Sequence, residues 1–157
     1  MILLVLYGCS ASQSHIKLIK VIKVSKQQFL SAPEKYKAIE LSYGEPMKTR
    51  GDLNGYGNIF YKIIFNSTVD LNNKPTNIAG IVPDIMECVS RKEFSWNYIY
   101  NLPNENYFTF LAAQDYYGKE KHDFLSKPID LCFSIRFISM LGDKKSNTIR
   151  ISKKLLQ

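Results

Sequence analysis

PIDLCFSIRFIS, residues 128–139, is the stretch whose pattern decides the fold. Ile129, Leu131, Phe133, Ile135 and Phe137 share one parity, and Asp130, Cys132, Ser134 and Arg136 share the other. Successive side chains of a strand point to opposite faces, so a period of two sets an apolar face against a polar or small one. A helix would scatter the same residues around its circumference. The stretch therefore predicts a long strand lying on a core, as in an antiparallel sheet with one wet face.

The same signal recurs along the chain. Ile59, Tyr61, Ile63 and Phe65 alternate with Phe60, Lys62 and Ile64. Ile16, Leu18, Ile22 and Val24 share one parity, interrupted by Lys20. The lysine spacing of three in IKLIKVIKV also permits a basic amphipathic helix, but its β-branched residues favour a strand. Further strands are expected over 36–43, 78–82, 86–89, 96–100, 107–113 and 147–151, with Pro83 interrupting between 78–82 and 86–89. Turn residues separate them: Gly44-Glu45-Pro46, the loop 47–58, Leu71 to Pro75, Leu102-Pro103-Asn104, the loop 115–120 and Gly142-Asp143. Ser25-Lys26-Gln27-Gln28 has capping-box spacing and predicts a short helix over 26–31, ended by Pro33. Seven or eight strands with little helix imply an all-β protein, an antiparallel β-sandwich of immunoglobulin-like or transthyretin-like type.

Composition agrees with a single domain. A chain of 157 residues buries roughly 70% of its unfolded surface, enough for a conventional core. Ten Tyr and nine Phe favour sheet. No apolar run is long enough to span a membrane as a helix. The net charge of +7 gathers near the two ends, at Lys17, Lys20, Lys23 and Lys26 and at Lys144, Lys145, Arg150, Lys153 and Lys154. Such a balance suits nucleic acid, an anionic membrane, an acidic protein, or plain solvation. Nucleic acid is disfavoured, because the aromatics of Trp96-Asn97-Tyr98-Ile99-Tyr100 alternate with Asn and Ile rather than with basic residues.

Motifs of catalysis are missing. The chain has no Gly-rich phosphate loop, no G-x-S-x-G and no C-x-x-C. Its two histidines, His15 and His122, make neither a zinc site nor a general base, and His122 and Asp123 would point to opposite faces of a strand. Asp115, Glu120 and Asp123 cluster in one stretch and offer the one enzymatic option, a two-carboxylate hydrolase. Lys119 and Lys121 between them favour an ordinary charged turn. Arg50-Gly51-Asp52 and the sequon Asn66-Ser67-Thr68 are too short to carry weight. We therefore expect no catalytic residues, no metal, no cofactor and no small-molecule substrate.

The beginning of the chain supplies a different kind of signal. Leu6-Tyr7-Gly8-Cys9 matches a lipobox, in which the Cys sulfur receives a diacylglyceryl group. Ser10 to Ser14 are small and polar, as in a tether. The apolar run Ile2 to Leu6 is shorter than an ordinary signal and no Lys or Arg precedes it; a start codon further upstream would account for both. On this reading residues 1–15 are a truncated lipoprotein signal and polar tether, and 16–157 a single β-sandwich domain. The alternative makes 2–7 a strand and Cys9 an ordinary thiol of a cytoplasmic protein. If Cys9 carries lipid, Cys88 and Cys132 remain as an even pair, suited to a disulfide in an oxidising periplasm and worth about 4 kcal/mol. The alternative is two reduced core thiols. Cys88, Trp96 and Cys132 follow the Cys-Trp-Cys order of immunoglobulin domains, although the first gap is short and Asp130 stands where the corner Tyr belongs.

Together with the lipobox, Phe108-Thr109-Phe110-Leu111-Ala112-Ala113-Gln114-Asp115-Tyr116-Tyr117-Gly118, Asp130-Leu131-Cys132-Phe133, Met140-Leu141-Gly142 and Ser146-Asn147-Thr148 resemble a group of small bacterial periplasmic lipoproteins described as type VI secretion immunity proteins. The resemblance covers the chain after Cys9 and rests on fold-like motifs. It implies lipid attachment at Cys9, anchoring in the periplasm, and a protein partner, a secreted toxin neutralised by binding. Ser10 after Cys9 implies the outer membrane. Tyr116 and Tyr117 are candidate contacts. A structural accessory lipoprotein of a secretion apparatus and a carboxylate-dependent envelope hydrolase are the alternatives.

Overall fold

Leu131–Ser139 (β8) forms the central strand of one of two packed sheets. The computed structural model describes residues 15–42, 53–73, 77–94, 98–117 and 120–157. Cys9 with its lipobox and tether, Arg50-Gly51-Asp52 and Trp96 lie outside them. The other strands are β1 (Ile16–Ser25), β2 (Ile59–Ser67), β3 (Ile78–Glu87), β4 (Tyr100–Asn101), β5 (Tyr107–Ala112), β6 (Gln114–Tyr117), β7 (Glu120–Asp123), β9 (Lys144–Lys145) and β10 (Ile149–Ile151). One sheet runs β1-β2-β5-β4 and the other β10-β8-β3, with β9 on the same edge of β8 as β10. Every strand pair is antiparallel, which makes the protein an all-β sandwich.

The core follows the periodicity. Leu131, Phe133, Ile135 and Phe137 of β8 pack with Ile81 and Ile85 of β3 against Tyr61, Ile63, Phe65 and Leu111 of the facing sheet. Phe133 meets Phe65 edge to face, with ring centroids 5.1 Å apart. Each such side chain contributes about 1.5–3 kcal/mol on leaving water. The other face of the first sheet is buried too. Phe60, Ile64, Phe108, Phe110 and Ala112 are covered by a helix, α1 (Lys26–Lys35), through Phe29 and Ala32. Phe29 stacks on Phe60 at 4.2 Å.

The capping box starts α1: Gln28 N–H donates to Ser25 Oγ at 3.2 Å, and Ser25 N–H donates to Gln28 Oε1 at 2.9 Å. The helix does not stop at Pro33 but continues to Lys35. Proline removes one hydrogen-bond donor and crowds the preceding turn. Here it falls in the last turn, where Tyr36 N–H still closes on Ala32 O at 2.8 Å and burial of Phe29 and Ala32 holds the turn against the sheet.

Three further expectations are corrected. The single parity of β1 does not survive, because a bulge between Leu18 and Lys20 reverses it. Ile16 and Leu18 face the inter-sheet core, whereas Ile22 and Val24 pack toward the helix. Pro83 does not interrupt β3. Its partner Ile135 turns both backbone groups away toward Ser146, donating to Ser146 Oγ and accepting from Ser146 N–H. Pro83 therefore presents its donor-less nitrogen at the outer edge of β3, where no ladder bond is lost. The described part of the run expected over 36–43, residues 36–42, is not a strand; Ala38 bridges to Tyr100 in one sheet and Ser42 to Ile81 in the other, so the segment crosses between sheet edges.

Cys88 and Cys132 are joined by a disulfide, with Cα atoms 5.0 Å apart. Cys132 lies on the outward face of β8 and Cys88 just beyond β3. The bridge thus links neighbours within one sheet, unlike the inter-sheet bridge that the immunoglobulin order suggests.

Candidate interaction surface

Of the stretch read as a loop over 115–120, residues 115–117 belong to β6 and Glu120 opens β7, an antiparallel pair in which charged residues disguise the alternation. Asp115 stands opposite His122 and is fully buried. The His122 ring is half-buried rather than solvated. It lies 4.5 Å from the Phe124 ring and 6.0 Å from that of Phe94, and its Nε2 is 3.1 Å from the Lys127 carbonyl. Asp123 pairs in register with Gln114 and occupies the opposite face of the strand pair. Its carboxylate accepts the N–H groups of Leu125 at 2.9 Å and Ser126 at 3.4 Å, shaping the following turn. Glu120 forms an exposed ion pair with Lys92. Asp115 and Asp123 therefore do not face one another across a common space. Tyr116 and Tyr117 lie on β6. His15 is exposed and fastens the start of β1, exchanging hydrogen bonds with Thr68.

A polar cleft of about 430 Å³ opens instead where β2 ends and β4 turns into β5. Asp70, Asn72, Asn101, Glu105 and Tyr107 line it with Ser67 and Thr68. Asp70 organises one wall. Its Oδ1 accepts Asn72 N–H at 2.9 Å and the Tyr107 hydroxyl at 3.3 Å, and its Oδ2 accepts Asn73 Nδ2 at 2.7 Å. The amides of Asn72 and Asn101 pair reciprocally at 2.9 and 2.7 Å. Burial pushes the Tyr107 hydroxyl upward, opposed by the hydrogen bond from Leu71 N–H and reinforced by the Asp70 charge. In a chain of net charge +7, the cleft gathers two carboxylates. These residues come from separate segments, of which the sequence marks only the turns Leu71 to Pro75 and Leu102-Pro103-Asn104.

Glu105 adopts φ +65° at the end of that turn, where Glu105 N–H donates to Leu102 O at 3.2 Å. Glycine suits this left-handed position, and a residue with a Cβ is strained there. A side chain kept against its local preference at the rim of a cleft fits a contact role. Glu105→Gly should raise stability by about 0.5–1 kcal/mol, read as a higher urea midpoint at unchanged slope.

Titration should narrow the stable range from both sides. Arg150 hydrogen-bonds to Asp130 and, with Lys153 N–H, holds its carboxyl below the usual range. Burial opposes ionisation of Asp123, but the donated N–H groups of Leu125 and Ser126 outweigh it and lower it as well. Folded values below 3.8 mean that this stabilisation is complete above that pH and drains away as pH falls through the lowered values. Burial pushes the Tyr61 and Tyr100 hydroxyls up from 10.0 to about 12, aided by the charges of Asp123 and Tyr98 respectively. Raised values mean that stability is complete below pH 10.0 and lost toward about 12. Thermal midpoints measured against pH should fall on both limbs, with Asp123→Asn flattening the acid limb and Tyr100→Phe the alkaline one.

Among the described residues, no group of three or more His, Cys, Asp and Glu is placed to hold a metal ion, and no helix is long and apolar enough to cross a membrane. No protein-family model, curated protein or solved structure matches the chain.

Proposed function

We propose that the chain is a periplasmic binding protein, anchored through lipid on Cys9, that acts as an immunity protein by occupying the surface of a secreted toxin. The observation that carries this reading is the Cys88–Cys132 disulfide, since such bonds persist chiefly in oxidising compartments. The cleft supports it. Asp70 and Glu105 suit a cationic group of the partner, and a wall already ordered by hydrogen bonds loses little freedom on binding.

The test is co-expression with the product of the neighbouring gene directed to the periplasm. The exported chain should restore growth, and Glu105→Lys should weaken protection. Undiminished toxicity with the exported chain present, or equal protection by a version kept in the cytoplasm, would contradict the proposal.

A further inference from the structure

β8 continues for four residues beyond Ile135 before the chain turns and returns as β9. Met140 and Leu141 occupy that turn with 98% and 88% of their surface in water. Gly142 closes it at φ +117°, its N–H donating to Ser139 O at 3.2 Å, and Asp143 Oδ1 accepts Ser139 N–H. Lys144 follows, exposed, and Lys145 reaches back to the buried Asp84 at 2.8 Å. Among the described residues, the two apolar side chains take no part in either core cluster. Adjacent large apolar residues displayed in this way mark an interaction site.

The position of the turn narrows what it meets. Ile16 exchanges backbone hydrogen bonds with the Asn147 amide, and Ser146 beside it bonds to Ile135. The described chain therefore begins at the level of Ile135. Phe133 touches Phe65, and Leu131 pairs with Ile151 near the Leu156 carbonyl that Tyr61 binds. β8 thus runs in the same direction as β2, and its turn projects about 13 Å beyond the level at which the chain leaves toward Cys9. Six residue steps from Cys9 to His15 reach at most about 20 Å, a span comparable with that projection. An anchor at Cys9 would turn this end, and not the Val89 end, toward the membrane, with the turn of β8 foremost and the cleft of Asp70 and Glu105, near the level where β2 ends, set back from the tip of that turn.

We propose that Met140 and Leu141 insert into the interfacial region of an anionic phospholipid bilayer while Lys144 meets the headgroup phosphates. The orientation rests on the reading of Cys9 as the anchor; the insertion itself is tested without it. The probe is vesicles of phosphatidylethanolamine with phosphatidylglycerol, and the protein is the full chain carrying Cys9→Ser. Adding Met140→Ser and Leu141→Ser should lower partitioning about tenfold or more. Lys144→Glu should lower it about fivefold or more. Val89→Ser, which removes a 92% exposed apolar side chain beyond the opposite end of β3, should change nothing.

Absence of partitioning by the Cys9→Ser chain, or equal partitioning by the doubly substituted one, would overturn insertion. So would loss of toxin protection with partitioning unchanged, which would make the turn a protein contact. Equal partitioning of the wild-type and Cys9→Ser chains would reject the anchor instead, leaving the double substitution to decide insertion.

Discussion

Removing the Cys88–Cys132 disulfide should cost the fold about 4 kcal/mol, more than the loss of any hydrogen bond described above. The cysteines are 44 positions apart, and the loop they close contains β4, β5, β6 and β7. Without the bridge the unfolded chain regains the freedom of that loop, while the folded sandwich keeps its contacts. Both cysteines are only half-buried, so Cys88→Ala with Cys132→Ala leaves little cavity and reports mainly the cross-link. Urea titration of the oxidised protein, the reduced protein and the double alanine variant should place the last two together, well below the first. A difference under about 1 kcal/mol would show that the bridge does not restrain the unfolded chain.

Phe133→Ala should be of similar size, about 3–5 kcal/mol. Phe133 is fully buried where the two sheets meet, against Phe65. Truncation removes apolar burial and leaves a space that two sheets pinned by their own ladders cannot close. The loss should alternate along the strand. Ile135→Ala and Leu131→Ala, on the same parity and fully buried, should also cost several kcal/mol. Ile138→Ala, half-buried on the other face, should cost about 1 kcal/mol. Equal losses at Phe133 and Ile138 would deny that this parity faces the core.

That alternation was legible because β8 and β2 keep a period of two without an inserted residue. β1 defeated the same reading with one bulge, which exchanges faces without altering composition. Pro83 looked like an interruption because sequence does not say which strands lie at an edge. Residues 36–43 carry apolar residues with strand-like spacing, yet they bridge two sheet edges singly at Ala38 and Ser42 instead of joining a ladder. The antiparallel pair of β6 and β7 was hidden by charge, since Glu120, Lys121 and Asp123 resemble a solvated turn until pairing with Gln114 to Tyr117 is seen. The cleft was the least legible feature. Asp70 follows β2, Asn101 ends β4 and Glu105 lies in the turn after it, and only the fold brings Asp70 to the other two. With three cysteines in the chain, pairing Cys88 with Cys132 depends on how Cys9 is read, and the sequence does not assign the two to one sheet.

The proposed function requires a sandwich cross-linked for an oxidising compartment and held there by lipid. The most direct measurement is the intact mass of the native protein from fractionated cells, with thiol alkylation before and after reduction. The account predicts envelope protein lacking residues 1–8, diacylglyceryl on Cys9, and Cys88 and Cys132 alkylated only after reduction. Cytosolic protein that retains Met1, carries an unmodified Cys9 and alkylates at Cys9, Cys88 and Cys132 without reductant would contradict it.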